Sequence, residues 1–322
     1  MCEDMSVALL QWRDDPGVEA VILDHVGGRG FCAGGDVVSV RHSALEDGGV
    51  AGRAFFMAEY RLNHLLFTFP KPVIAFMDGV TMGGGVGLAL PANIRVATEN
   101  TLFAMPEGSI GLFPDVGAGY YLPRLPGHIG KFLALTGARL DGAECLWAGL
   151  ATHYCDSDDL AEAKELIAKE PAAADEILRD LATSTPDARI AGNAAAIARL
   201  FAPDTLEEVK AALAADDSNW ASKELKAVRS RCPTSAKVAL RLFSMGSQHS
   251  DFATEMELEY RIAAHMIMRN DFAEGVRAVL VDKDNSAKWK PAKAEDVTSQ
   301  ILDAIFAPLP AGEEWTPLAL PN

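Results

Sequence analysis

The chain has 322 residues, 49% of them hydrophobic, and its formal net charge is −16 at pH 7. That length and apolar content suffice for a sizeable buried core, in one large domain or about two ordinary ones. Because the excess charge is negative, non-specific binding to the phosphates of nucleic acids is disfavoured. We therefore predict a globular protein whose partners do not include nucleic acid.

The cysteines and histidines indicate neither disulfides nor a metal site. The cysteines are odd in number, widely scattered, and form no C-x-x-C pair. They are Cys2, Cys32, Cys145, Cys155 and Cys232. The seven histidines include no H-E-x-x-H pattern. We predict a reducing compartment and no bound metal.

Residues 1–15 carry acids and lack a basic stretch followed by an apolar one, which argues against a signal or transit sequence. No uninterrupted apolar run is long enough to span a bilayer. We therefore expect a cytoplasmic protein with no membrane partner.

Short β-branched runs alternate with glycine-rich turns in the first half of the chain. The pattern predicts strands at 18–24 and 72–77, and apolar residues at helical spacing predict a helix at 55–67 between them. Strand, helix and strand in succession imply βαβ units and a mainly parallel sheet. The predicted class of this half is α/β.

The second half changes to alanine-rich sequence with interspersed charges, which favours helices. Helical periodicity covers 159–169, 172–182, 188–201, 206–215, 234–245 and 252–268. We therefore predict two regions, an α/β core at 1–157 and a mainly helical region at 158–322.

A mixed-charge turn at 282–291 contains Lys283, Lys288 and Lys290. Charge runs of this kind are usually solvated loops, but lysines also contact phosphates. The sequence leaves both interpretations open.

Two glycine-rich turns follow the predicted strands. Phe31-Cys32-Ala33-Gly34-Gly35-Asp36 comes after the first, and Gly83-Gly84-Gly85 comes after the second and precedes a helix predicted at 86–93. Ligands bind at the strand ends of parallel sheets, and two such turns can each aim one backbone N–H at the same carbonyl oxygen. The spacing alone equally fits glycines that only allow tight turns and close helix packing.

Two carboxylates follow within three dozen residues of the second turn, in Met105-Pro106-Glu107 and Phe113-Pro114-Asp115. Backbone donors combined with carboxylates point to acyl chemistry.

The order of these motifs resembles the crotonase (enoyl-CoA hydratase/isomerase) superfamily. The resemblance is carried by residues 31–36, 71–75, 78–87 and 104–107. Residues 111–117, 121–125 and 288–291 are similar to the branch that hydrolyses 3-hydroxyacyl-CoA thioesters, and the similarity extends over about 4–297. It implies a crotonase-type ββα spiral core followed by the helical region.

The resemblance also implies where the thioester binds. The N–H groups of Gly35 and Gly84 would form an oxyanion hole for the thioester oxygen, and Gly34, Asp36 and Gly83 would contact the substrate beside it. CoA would enter as part of the substrate, so that no separate cofactor is implied.

The superfamily's hydratases carry one glutamate on the helix after the triple glycine and a second after the Met/Gln-Pro step. Here the first position is Gly87, and only the second, Glu107, is retained. Adding water across a double bond needs both groups around one water, so the missing acid argues against hydration. The hydrolase branch instead carries an aspartate in the Phe-Pro-Asp turn, here Asp115, and a glutamate on the helix covering the acyl pocket, here Glu59.

The reaction that the resemblance implies is hydrolysis of a short branched 3-hydroxyacyl-CoA such as 3-hydroxyisobutyryl-CoA, in valine catabolism. Glu107 would attack the thioester to form an anhydride, or would act as general base on a water. Asp115 would orient the substrate or manage protons, and Glu59 would help to fix the 3-hydroxyl.

Two other functions stay open at this point, a lyase or isomerase of the same fold and a non-catalytic assembly subunit. Assembly into a homo-oligomer is also open. Superfamily members begin with a β-hairpin and a segment that contacts CoA, whereas Met1 falls inside the first helix of the pattern. We therefore expect a front segment of about 25 to 30 residues, enough for two strands, to be absent.

Overall fold

Four short parallel strands form the sheet of the first half. The computed structural model describes residues 1–28 and 30–319. The sheet has the order β1 (Val21–Leu23), β2 (Val73–Phe76), β4 (Ile94–Ala97) and β6 (His153–Tyr154). Val21 pairs with Val73, and Ile74 pairs with Ile94. The two predicted strands are confirmed with shorter bounds, as is the parallel α/β arrangement.

A second, two-stranded sheet carries the glycine turns. It pairs β3 (Val80–Met82) with β5 (Leu102–Ala104) in parallel. The segment before the first glycine turn adds to its edge, because Cys32 forms a parallel bridge with Thr81. Both glycine turns therefore leave the same small sheet.

Both faces of the larger sheet are buried, as a run of consecutive apolar residues in β2 requires. Val73 and Ala75 point into the main hydrophobic cluster. Ile74 and Phe76 point to the opposite face, into a smaller cluster with residues of the helices that follow residue 159. The sheet is thus a rigid central layer.

Helices make up most of the rest of the chain. Those before residue 158 are α1 (Cys2–Asp14), α2 (Val37–Glu46), α3 (Val50–Phe67), α4 (Gly84–Ala89), α5 (Ala118–Tyr121), α6 (Ile129–Thr136) and α7 (Gly142–Ala148). The later ones are α8 (Leu160–Lys169), α9 (Ala174–Asp180), α10 (Ala194–Leu200), α11 (Leu206–Ala214), α12 (Asn219–Ser230), α13 (Pro233–Gly246), α14 (Phe252–Met266), α15 (Asn270–Val276) and α16 (Ser299–Ile305).

The predicted helical segments all contain helices, with two informative differences. The helix predicted at 86–93 instead spans Gly84–Ala89, because it begins within the glycines that the prediction treated as a turn. Helix α12 was not predicted. Its buried residues do follow helical spacing, at Ala221, Glu224, Leu225 and Val228, but most of its other residues are polar, so that the apolar signal is weak.

The helical region packs directly onto the first half. Helix α14 lies against α3, and one hydrophobic cluster includes Leu65 and Val86 together with Phe252 and Met256. The division into regions at 157 and 158 stays a prediction, and its last residues, 320–322, lie outside the described part. Among the helices described, none is both long and apolar enough to cross a bilayer.

Candidate active site

The two glycine turns lie against each other. The Cys32 N–H donates to the Val80 carbonyl and the Met82 N–H donates to the Cys32 carbonyl, both at 2.9 Å. A Cβ on Gly34 would lie only 3.4 Å from the Gly84 nitrogen, and the φ of Gly34 is +100°. Glycine is needed there both for the close approach and for the left-handed backbone.

Gly35 and Gly84 line the same cavity. Within residues 1–28 and 30–319, neither donates a hydrogen bond to a protein acceptor. Gly84 begins α4, so that its N–H has no acceptor within the helix. The structure therefore brings together the two backbone donors that the sequence singled out.

Three buried carboxylates line this cavity beside the turns. Glu59 comes from α3, Glu107 from the turn after β5, and Asp115 from the loop before α5. Their exposed fractions are 8%, 5% and 4%. A Cβ on Gly83 would lie 3.5 Å from Glu107 Oε1, and one on Gly84 would collide with Glu59 Oε1. The acids and the donors thus form one site.

Burial raises the pKa of all three acids because it disfavours the ionised form. The pKa of Glu59 rises to about 8, through burial and then through the charge of Asp115. The pKa of Glu107 is raised well above its usual value by burial, then by Asp115 and Glu59. The pKa of Asp115 rises only to about 6, because a hydrogen bond from Tyr60 opposes the effect of burial. Asp115 is therefore the acid most readily ionised.

Tyr60 is a site residue that the sequence did not reveal. Its hydroxyl donates to Asp115 Oδ2 at 2.6 Å, and its side chain is fully buried. An aromatic residue on the apolar face of a helix is indistinguishable from a core residue in sequence, so no local pattern identifies this contact.

The structure explains why Gly87 has no carboxylate. A Cβ at Gly87 would lie 2.6 Å from the Cβ of Val116 and 2.8 Å from Asn63 Nδ2. The Asn63 amide also donates to the Gly87 carbonyl at 2.9 Å. The space beyond Gly87 is filled, so a second glutamate does not fit without rearrangement.

Asp36 does not line the cavity that holds all three acids, but it lines a second cavity together with Glu59, Gly35 and Gly84. Its Oδ1 accepts the Ser39 N–H at 3.0 Å and its Oδ2 accepts the Ser39 hydroxyl at 2.7 Å. It is the N-cap of α2 and is exposed. Helix capping accounts for the hydrogen bonds of this side chain, and its contact with the substrate stays a prediction.

The cavity has a volume of about 1050 Å³. Away from the acids it is lined by Arg139, Arg229 and Arg231. Among the described residues, no carboxylate forms an ion pair with any of these arginines. A local positive charge therefore lies at the cavity of a protein whose net charge is −16.

The turn at 282–291 borders the same cavity through Asn285, Ser286, Ala287 and Trp289. Several hydrogen bonds hold it in place. Asp271 Oδ1 accepts the Lys290 N–H at 2.6 Å, and Glu274 Oε1 accepts the Lys288 N–H at 2.9 Å. The turn lies beside the cavity, but none of its three lysines is among the lining residues, so that a phosphate contact by these lysines stays a prediction.

The acids do not form a metal site. Among the described residues, no group of three or more histidine, cysteine, aspartate or glutamate side chains is placed to hold a metal ion.

Comparison with known proteins places this site in a family. The model of the Enoyl-CoA hydratase/isomerase family matches residues 1–306. The chain belongs to this family. A 3-hydroxyisobutyryl-CoA hydrolase from Gallus gallus, named as mitochondrial, is 43% identical over 324 residues, which cover 96% of this chain and 82% of that protein. The name of this relative gives it a mitochondrial location. The cytoplasmic location expected for this chain from its sequence stays a prediction.

Two solved structures share the fold over nearly the whole chain. A protein described as a carnitinyl-CoA dehydratase from Mycobacterium thermoresistibile has a TM-score of 0.91 and 37% identity, covering 98% of this chain and 90% of that one. An enoyl-CoA hydratase from Rhodobacter sphaeroides has a TM-score of 0.88 and 36% identity, covering 98% and 91%. The predicted crotonase-type fold is confirmed.

Proposed function

We propose that this family member hydrolyses a short branched 3-hydroxyacyl-CoA thioester, with 3-hydroxyisobutyryl-CoA as substrate, as in valine catabolism. One observation carries the proposal: Glu59, Glu107 and Asp115 meet the two glycine turns in one cavity. The names of the curated relatives support the same reaction.

The glycine turns supply the backbone N–H groups that polarise the thioester carbonyl. The thioester oxygen accepts the N–H groups of Gly35 and Gly84, which have no competing protein acceptor among the described residues. Negative charge grows on that oxygen as a nucleophile attacks, and preorganised donors stabilise the charged transition state more than the ground state.

Glu107 is the nucleophile, and Asp115 manages its proton. In this scheme Glu107 and Asp115 hold one proton between them, and the proton passes from Glu107 to the Asp115 carboxylate before Glu107 attacks. The Glu107 carboxylate then attacks the thioester carbon, the carbon–sulfur bond breaks, and the leaving sulfur takes the proton from Asp115. The products of this half-reaction are a mixed anhydride and free CoA.

Water completes the cycle. It adds to the anhydride, one fragment leaves as the 3-hydroxy acid, and the other is protonated Glu107 in its starting form. The sum is one thioester and one water converted to one acid and one thiol. In a competing scheme Glu107 acts as general base on a water that attacks the thioester directly.

Glu59 binds the 3-hydroxyl group of the acyl chain. Its pKa of about 8 keeps it protonated near neutral pH, so that the carboxyl group can both donate and accept a hydrogen bond. It lies beside Gly84, where the acyl chain must pass.

Two exposed arginines at the cavity, Arg139 and Arg229, bind the phosphates of CoA. They carry the charge that phosphate requires, and neither forms an ion pair with a carboxylate among the described residues. The guanidinium group of Arg231 instead donates to the Thr136 carbonyl and to the Ser109 hydroxyl. The volume of about 1050 Å³ is at the upper end of common ligand cavities, as a CoA thioester requires.

Product analysis tests the proposal. Purified protein is incubated with 3-hydroxyisobutyryl-CoA, and the products are separated and identified by mass spectrometry. We expect 3-hydroxyisobutyrate and free CoA in equal amounts. After many turnovers in oxygen-18 water, label in the Glu107 carboxyl group identifies the anhydride route, because water that opens the anhydride at the Glu107 carbonyl leaves its oxygen there. Label confined to the product is expected of the general-base scheme and also of an anhydride that water opens only at the acyl carbonyl.

A lyase is the second candidate, because the two solved structures with the same fold are described as a dehydratase and a hydratase. The filled space beyond Gly87 opposes it. Incubation with a short 2-enoyl-CoA decides the question: loss of the enoyl absorbance without release of thiol would identify a hydratase.

A further inference from the structure

The carboxylate of Glu259 is buried beneath the turn that carries Asp115. Glu259 lies on α14 and is fully buried. Its Oε2 accepts the Gly117 N–H at 2.7 Å, and its Oε1 accepts the Gly119 N–H at 3.0 Å. Both oxygens of one carboxylate therefore hold consecutive parts of a loop 140 residues earlier in the chain.

The turn that Glu259 holds has a strained backbone. Val116, next to Asp115, is a buried β-branched residue with a φ of +55°, and Gly117 follows with a φ of +94°. A non-glycine residue in the left-handed region costs about 1–3 kcal/mol and persists only where its surroundings impose it. The N–H groups of Gly117 and Gly119, which follow Val116, both donate to the Glu259 carboxyl group and so hold the backbone on the far side of this residue.

The conformation of this turn places two side chains. It directs Val116 into the space beyond Gly87, where the Val116 Cβ lies 2.6 Å from the position of a Cβ added at Gly87. It also sets the direction of Asp115, whose other support is the Tyr60 hydroxyl. Tyr60 packs edge-on against Tyr260, the residue after Glu259, with 6.5 Å between ring centroids. Helix α14 therefore supports Asp115 through its backbone and through Tyr60.

The burial of Glu259 is energetically costly. Burial, then the neighbouring Glu255, raise its pKa well above the usual value. No lysine, arginine or histidine forms an ion pair with it among the described residues, whereas Glu255 accepts a 2.6 Å hydrogen bond from, or donates one to, His249 Nδ1. The main partners of this buried carboxyl group are the N–H groups of Gly117 and Gly119 at the start of α5, so its burial is explained best by the turn that leads into that helix and carries Asp115.

We propose that Glu259 is a positioning residue, which clamps the Val116–Gly117 turn and so fixes the Asp115 carboxylate within the site and Val116 against Gly87. It touches no substrate. Its effect on turnover rests on the proposed thioester hydrolysis, but its effect on the turn does not.

The test is Glu259→Gln, which keeps the shape but replaces one acceptor oxygen with an NH₂ group that faces an N–H. Glu257→Gln, on the same helix and half-exposed, is the matched control. For each protein we measure kcat and KM for 3-hydroxyisobutyryl-CoA, thermal unfolding, and hydrogen exchange of the Gly117 and Gly119 amides.

We expect Glu259→Gln to fold, to lose kcat by about 100-fold, and to keep KM within about twofold, because misplacing a reacting group affects the transition state more than binding. The two amides should exchange faster. The control should match the parent protein in all measurements. Wild-type kcat in a folded Glu259→Gln protein, or equal losses in kcat and in substrate affinity, would overturn the proposal.

Glu259→Asp covers the case in which the Gln variant does not fold. It keeps the charge but shortens the reach by one methylene, and we expect lower kcat and faster exchange at both amides. An Asp variant with wild-type kcat contradicts the inference. If the parent protein itself releases no thiol, the proposed function fails, and unchanged amide exchange in either variant would then separately refute the clamp.

Discussion

Residue 84 is a glycine because neighbouring atoms leave no room for a Cβ, and not because of its φ angle. A Cβ there would collide with Glu59 Oε1 and would lie 3.5 Å from the Cα of Gly34. Any side chain must therefore displace either a carboxylate of the site or the facing glycine turn. The same crowding brings the backbone donors near the acids, so that steric constraint and function have one cause.

We expect Gly84→Ala to lower kcat by about 100-fold, similar to the loss of an oxyanion donor, because the methyl group moves Glu59 and shifts the N–H. Steady-state kinetics and thermal unfolding measure the effect. Gly192→Ala is the control, since nothing lies within 4 Å of a Cβ there. A Gly84→Ala protein as active as the control would show that the oxyanion hole lies elsewhere.

At the scale of elements, the junction of α12 and α13 brings cations to the cavity. Arg229 is in the last turn of α12, and Arg231 lies between the two helices. Arg231 is anchored, because its Nε donates to the Thr136 carbonyl at 2.9 Å. Arg229 is exposed and is free to meet a phosphate.

We expect Arg229→Ala to raise KM for the CoA thioester by about tenfold, with kcat changed by less than about twofold, because a remote phosphate contact contributes to binding alone. Kinetics at two salt concentrations provide the check, since screening should diminish the difference between variant and parent. Lys169→Ala, an exposed cation at the end of α8, is the control. An unchanged KM would remove Arg229 from the CoA site.

The elements also show how far the sequence could predict this protein. Strand β2 and helices α8 and α13 have strong local periodicity and were predicted close to their bounds, whereas α3 begins five residues before its predicted start. Glu107 and Asp115 stand in recognisable motifs. The start of α4 was misplaced because glycine has low intrinsic helix propensity.

Other parts of the site depend on contacts that no local pattern encodes. Glu259 meets Gly117 across 142 residues, and Tyr60 meets Asp115 across 55. The filled space beyond Gly87 depends on Val116 and Asn63, from two different segments. The sequence could indicate that an acid was missing there, but only packing shows why none fits.

At the scale of the whole molecule, the site lowers stability at high pH. Buried acids with raised pKa values bind protons in the folded state that they lose in the unfolded state. For Glu59, whose usual pKa of 4.5 rises to about 8 in the fold, stability is greatest below the usual value and falls as pH rises through about 8. The buried acids of the site therefore lower the free energy of unfolding as the pH rises.

We expect Glu59→Gln to remove part of this cost. Between pH 5 and pH 8 the free energy of unfolding of the parent should fall more than that of the variant, by on the order of 2 kcal/mol. Urea unfolding at both pH values measures the difference, with the exposed Glu46→Gln as control. Parallel pH profiles for parent and variant would contradict the raised pKa.

Thiol release by variants of Glu107 shows whether this residue performs the thioester hydrolysis. Free thiol released from 3-hydroxyisobutyryl-CoA is followed for the parent, for Glu107→Gln, and for Glu224→Gln, which removes a buried carboxyl group that does not line the cavity. We expect steady release by the parent and by Glu224→Gln, with a loss of about 1,000-fold or more in Glu107→Gln while the thioester still binds. A Glu107→Gln protein that releases thiol at the parent's rate would contradict this expectation.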